Sequence, residues 1–129
     1  MSEIVLDASA VLALMQSEPG AEAVTAVLPG ALLGMVNLAE IVTKLCERGM
    51  PSSLAHQAVA SLGIRIAEFT EGQARLVGEF RPLTRSAGLS LGDRACLALG
   101  KMRGAVVLTA EGIWPQVATA VGVEVRVIR

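Results

Sequence analysis

Only two of the twelve acidic residues in this sequence are aspartates, Asp7 and Asp93; the other ten are glutamates. Asp7 lies within IVLDASAVLALM at 4–15, where every other residue is apolar or small. A lone carboxylate in such surroundings is costly unless it is paired or binds a metal. Asp93 lies within LSLGDRACLALG at 89–100, Glu40 within VNLAEIVTKL at 36–45 and Glu111 within VVLTAEGIW at 106–114. Clustered carboxylates without Cys or His beside them are hard oxygen ligands, suited to Mg²⁺ or Mn²⁺. Each acid also has a capping reading. Asp7 can cap a helix over 8–17, Thr109 can cap the last helix, and Asn37-x-x-Glu40 and Ser90-x-x-Asp93 loosely match capping boxes. Caps account for the acids singly. They do not account for four acids at one end of a sheet, where repulsion costs stability unless a cation lies between them.

That shared end follows from the order of the elements. Strands are predicted over 2–6, 31–36, 64–69, 105–109 and 123–128. Helices are predicted over 8–17, 20–28, 37–49, 51–62, 70–86, 91–102 and 112–121, with Pro82 bending or ending its helix and Pro51 in the first turn of another. Leu38, Ile41, Val42 and Leu45 mark one helical face. Strands alternating with helices imply a three-layer αβα fold, with a mostly parallel sheet of about five strands and helices on both faces. The continuously apolar segments 4–6 and 105–108 suit central strands. Ligand sites in such sheets lie beyond the carboxyl ends of the strands. Asp7 ends the first strand, Glu111 follows the fourth, and Glu40 and Asp93 fall in the first turns of neighbouring helices.

Composition narrows the possibilities. A chain of 129 residues suits one domain spanning 1–129. Its hydrophobic fraction is 53%, but only 2% is aromatic, so aliphatic side chains must build the core and leave apolar surface over, as in a homodimer or a protein with a partner. No apolar run is long enough for a membrane helix, and no secretory signal opens the chain. Cys46 and Cys96 read as buried, reduced thiols of a cytoplasmic protein. The single histidine, His56, reads as exposed and inert, so no nucleophile–base pair is available. A net charge of −1 gives no global nucleic-acid footprint. Local cations are Lys44, Arg48, Arg81, Arg85, Arg94, Lys101 and Arg103, with Arg94 expected near the site. Phe69, Phe80 and Trp114 read as core, which leaves no exposed aromatic platform.

Taken together, the four quoted segments resemble a PIN domain of the VapC type, the toxin of bacterial toxin–antitoxin pairs. They occur in the family's order and spacing, and the resemblance covers essentially the whole chain. It implies a Mg²⁺- or Mn²⁺-dependent endoribonuclease with a cognate antitoxin and acidic metal ligands at Asp7, Glu40, Asp93 and Glu111. One metal would sit mainly on Asp7 and Asp93, and a second, arriving with substrate, on Glu40. Ser9 and Thr109 would orient acids or waters, though both also read as small polar residues at helix starts. Glu111 falls where the family usually has Asp, so its longer arm would bind through water, bind a displaced metal or play a lesser role.

Two other readings remain. A phosphatase of the haloacid dehalogenase type also places an Asp after its first strand, but it needs a second Asp where this chain has Ser9. A PIN-like domain that has lost activity and persists as a binding or regulatory module is supported by Glu111 alone. A nucleotide-binding module is weaker still, since no glycine-rich phosphate loop follows a strand.

Overall fold

The computed structural model describes residues 3–129. Five strands, β1 (Ile4–Leu6), β2 (Leu32–Gly34), β3 (Arg65–Ala67), β4 (Val106–Thr109) and β5 (Val125–Val127), form one sheet in the order β3-β2-β1-β4-β5. Every pairing is parallel. The segments read as central hold those places: β1 lies in the middle with β4 beside it. Their unbroken apolar character follows from the pleat, which sends successive side chains to opposite faces. Val5, Leu32 and Val107 enter one core with helices α5 (Glu71–Thr84), α6 (Leu91–Arg103) and α7 (Pro115–Val121). Leu6, Leu33, Val106 and Leu108 enter the other with α1 (Ala8–Met15), α2 (Ala21–Val27), α3 (Met35–Glu47) and α4 (Ser52–Ala60). Three layers follow directly.

Most elements are shorter than their sequence patterns, and some corrections bear on the site. Part of the expected 2–6 strand, Ser2, lies outside the described residues. The second strand stops at Gly34, and α3 begins at Met35 rather than at Asn37. Glu40 is therefore in the second turn, not the first. Pro51 precedes α4 as its cap instead of lying in its first turn. Helix α5 continues two residues beyond Pro82 and ends at Thr84, whose hydroxyl donates to the Phe80 carbonyl at 2.7 Å. The last helix starts at Pro115 after Trp114, so Thr109 does not cap it. Strand β3, read from the alternation of 64–69, forms at the exposed edge of the sheet. Phe80 and Trp114 are core as expected, whereas Phe69 and Cys46 are exposed. Phe69 lies in the loop between β3 and α5 and Cys46 on the exposed face of α3, matters that composition cannot decide. Among the described residues no helix is long and apolar enough to cross a membrane.

Candidate active site

Asp7 is the last residue of the β1 line: its N–H donates to the Leu108 carbonyl at 2.9 Å, carrying the β1–β4 ladder one step past the strand. Its extended backbone makes it the N-cap of α1. The side chain is almost wholly buried, at 2% exposure. Three donors converge on Oδ2: the Ser9 N–H at 3.3 Å, the Ser9 hydroxyl at 2.6 Å and the Thr109 hydroxyl at 3.0 Å. Each hydroxyl has one hydrogen. With both directed at Asp7, the 3.2 Å between the two hydroxyl oxygens is proximity and not a third bond. The hydroxyls are themselves aimed by backbone, since the Ala110 N–H donates to Ser9 Oγ at 2.9 Å and the Glu111 N–H to Thr109 Oγ1 at 3.0 Å. Oδ1 takes none of these bonds.

Those donors favour an ionised carboxylate, yet burial outweighs them. Desolvation first, then the charges of Asp93 and Glu40, push the Asp7 carboxyl up to about 6, against the pull of Ser9 and Thr109. Glu40 is raised likewise, by burial and then by Asp93, while Asn37 and Lys44 pull it down. The Cys96 thiol, fully buried one turn beyond Asp93 on α6, is raised by burial and by all three of Asp7, Asp93 and Glu40. The three acids thus share one electrostatic neighbourhood above a buried thiol.

Glu40 and Asp93 have local partners too. The Asn37 amide donates from Nδ2 to Glu40 Oε1 at 2.7 Å and to the Gly92 carbonyl at 3.1 Å, which ties α3 to the first turn of α6. This replaces the capping box expected of Asn37 and Glu40. The box expected of Ser90 and Asp93 does form: Asp93 Oδ2 accepts from the Ser90 N–H at 2.9 Å, and the Asp93 N–H donates to Ser90 Oγ at 3.2 Å.

Glu111 differs from the other three. It is exposed in the turn after β4 and is not among the charges that raise Asp7. Arg94, expected beside the site, turns away from it: Nη1 donates to the Val77 carbonyl on α5 at 2.9 Å. Consecutive helical residues point about 100° apart, so adjacency to Asp93 in sequence does not bring the two heads together. His56 is exposed on α4, as expected. The sequence reading missed two participants, Asn37 as a cross-helix donor and Gly92. A glycine in a helix costs about 1 kcal/mol relative to Ala, and that was the available sign of a close approach.

The donor set, two raised carboxylates with Asp93 acting on both and no thiolate or imidazole ligand, has the chemistry of a hard divalent cation site. As the side chains stand, however, no three His, Cys, Asp or Glu among the described residues gather closely enough to hold an ion. The carboxylates are satisfied instead by Ser9, Thr109, Asn37 and Ser90.

The PIN-domain family model matches residues 4–120, and the chain belongs to that family. Membership decides against the phosphatase alternative. Over its whole length the chain is also similar in structure to a chain of the DNA-bound VapBC complex from Salmonella typhimurium, at TM-score 0.76 and 14% identity, with 100% of both chains covered. VapBC-1 from nontypeable Haemophilus influenzae superposes with TM-score 0.75 and 17% identity over 98% of each chain. VapC20 from Mycobacterium tuberculosis, described as a sarcin–ricin loop cleaving toxin, does so with TM-score 0.74 and 19% identity over 88% of this chain and 93% of that one. No curated protein matches the sequence significantly. At these identities the structural likeness speaks to the fold.

Proposed function

We propose that this PIN domain is a metal-dependent endoribonuclease and the toxin half of a toxin–antitoxin pair. The observation that carries the reading is a carboxylate buried at the carboxyl end of the sheet and pushed up to about 6 by burial and by two further acids. Such an arrangement disfavours the empty, fully charged state and favours a bound cation. Asp7, Glu40 and Asp93 would hold Mg²⁺ or Mn²⁺. When bound, the ion lowers the pKa of a water and offsets charge on the phosphoryl oxygens of RNA. Ser9 and Thr109 fix the Asp7 carboxylate through Oδ2 and leave Oδ1 uncommitted. Asn37 fixes Glu40. Asp93 takes the Ser90 N–H on Oδ2 and leaves Oδ1 uncommitted, as Asp7 does. Glu111, exposed after β4, is the outermost of the four acids and has the smallest part.

VapBC complexes pair a toxin with an antitoxin, and the same kind of partner suits this chain. Met35, Leu54 and Leu91 are exposed apolar residues that a partner or a second copy would cover. The alternative of a domain that retains the acids only as structural groups is favoured by one observation, the closed capping box at Asp93. A cleavage assay separates the two. The purified protein is expected to cut RNA with Mg²⁺ or Mn²⁺ and to be silenced by chelation, and Asp7→Asn is expected to abolish cutting. Cutting by Asp7→Asn at the wild-type rate would refute the assignment.

A further inference from the structure

Glu40 occupies a place that two neighbours reserve for it. A Cβ added at Gly92 would overlap its carboxylate, so the missing side chain on the first turn of α6 is the space in which Glu40 sits. The Asn37 amide holds it there while also gripping the Gly92 carbonyl. Asn37 is fully buried, and its Oδ1 has no hydrogen-bond partner. Turning the amide over would aim that oxygen at the Glu40 carboxylate and the Gly92 carbonyl, two acceptors, so the orientation is fixed and an orphaned acceptor is tolerated to keep both donors in use. Glu40 also has a competing partner. Lys44 lies four residues on along α3, the favourable spacing and order for a helical Glu–Lys pair, and both residues line a groove of about 440 Å³ together with Gly92 and Leu91. Glu40 nonetheless binds Asn37, and no Glu40–Lys44 ion pair is among those formed by the described residues.

We infer that Asn37 and Gly92 are positioning residues that seat Glu40 toward Asp7 and Asp93 and keep it from Lys44. The inference rests on Glu40 being one of the metal-holding acids. Gly92→Ala is the sharper probe. The atoms its methyl group would displace are the far end of a flexible side chain, so the fold is kept while Glu40 is driven into the groove.

The experiment is a Mn²⁺ titration of the full chain, read from the signal of free Mn²⁺, on wild type, Asp7→Asn, Glu40→Gln, Gly92→Ala, Asn37→Ala and the Asn37→Ala/Glu40→Gln double variant. Melting curves confirm folding. Gly92→Ala and Asn37→Ala are each expected to weaken Mn²⁺ binding about tenfold, as loss of a group that orients a ligand does. The double variant is expected to bind no more weakly than Glu40→Gln alone, because Asn37 acts through Glu40. Wild-type affinity in folded Gly92→Ala, or full additivity in the double variant, would overturn the positioning role while leaving the metal site in place. A wild type that takes up no Mn²⁺, or Asp7→Asn that binds as the wild type does, would overturn the site reading and the positioning role with it.

Discussion

The two ends of the sheet handle carboxylates in opposite ways. At the amino end, Glu3 receives the Arg103 guanidinium through two bonds of 2.9 and 2.8 Å, and Arg65 through a third of 2.9 Å. These donors, Arg103 ahead of Arg65, hold its carboxyl down at about 2. They join β1 to the start of β3 and the end of α6. At the carboxyl end, Asp7 has only neutral donors, lies buried and faces two more acids, and its carboxyl rises to about 6. One end is complete within the chain. The other concentrates negative charge that the chain does not neutralise, and it is the end where open parallel sheets bind ligands. Strain of this kind at one place in an otherwise consistent fold marks function.

The comparison can be broken first at Asp7. Asp7→Asn is expected to lower metal-dependent RNA cleavage by at least 100-fold, since it removes a ligand from the centre of the site. The same change is expected to raise the melting temperature of the metal-free protein, because a buried charge is removed while an oxygen remains to accept from Ser9 and Thr109. A metal-free variant that melts below wild type would show that the Asp7 charge is not a burden on the fold. Glu40→Gln comes next, with a loss of about 10- to 100-fold in cleavage. Glu111→Ala is expected to cost only a few-fold, as befits an exposed group outside the Asp7 field. A loss at Glu111 equal to that at Asp7 would make it a full member of the site.

The two ends also predict opposite responses to pH in the metal-free protein. The folded pKa of Asp7 lies above its ordinary value of 3.8. Its contribution to stability is therefore fully present below pH 4 and declines as pH rises through about 6. The folded pKa of Glu3 lies below its ordinary value of 4.5. Its contribution is present above that pH and declines as pH falls toward 2. Melting temperature measured from pH 3 to 8 should therefore fall less between pH 4 and 7 in Asp7→Asn, where only the raised Glu40 still contributes, and keep its full fall in Glu3→Gln. A profile left unchanged by Asp7→Asn would contradict the contrast.

The smallest-scale comparison lies within one helix. Gly92 and Gly100 both open α6 to a neighbour, but a Cβ at Gly100 would come within 2.5 Å of Val107 Cγ2 and 3.3 Å of Val123 Cγ1. Those are short, packed side chains that cannot swing aside. Gly100→Ala should therefore cost stability, about 1–3 kcal/mol as overpacking does, with metal affinity unchanged. Gly92→Ala should do the reverse.

Much of this was legible in the sequence. Apolar runs at 4–6 and 105–108 placed the central strands, and the alternation of elements placed Asp7, Glu40 and Asp93 at one end. The capping readings of Asp7 and of Ser90 with Asp93 both hold. What sequence could not show depends on direction in space. The start of α3 moved from Asn37 to Met35, which turned a presumed cap into a buried bridge between helices. Arg94 left the site because the side chains of adjacent helical residues point about 100° apart. Gly92 matters through a side chain that is absent, and only the position of Glu40 reveals it.

The central claim is that Asp7, Glu40 and Asp93 together hold a divalent ion. Anomalous scattering from a crystal soaked in Mn²⁺ tests it most directly. The expected result is an ion bonded to Asp7, with Glu40 and Asp93 turned toward it. Saturating Mn²⁺ with no ion at Asp7, or an ion there that neither Glu40 nor Asp93 approaches, would contradict it.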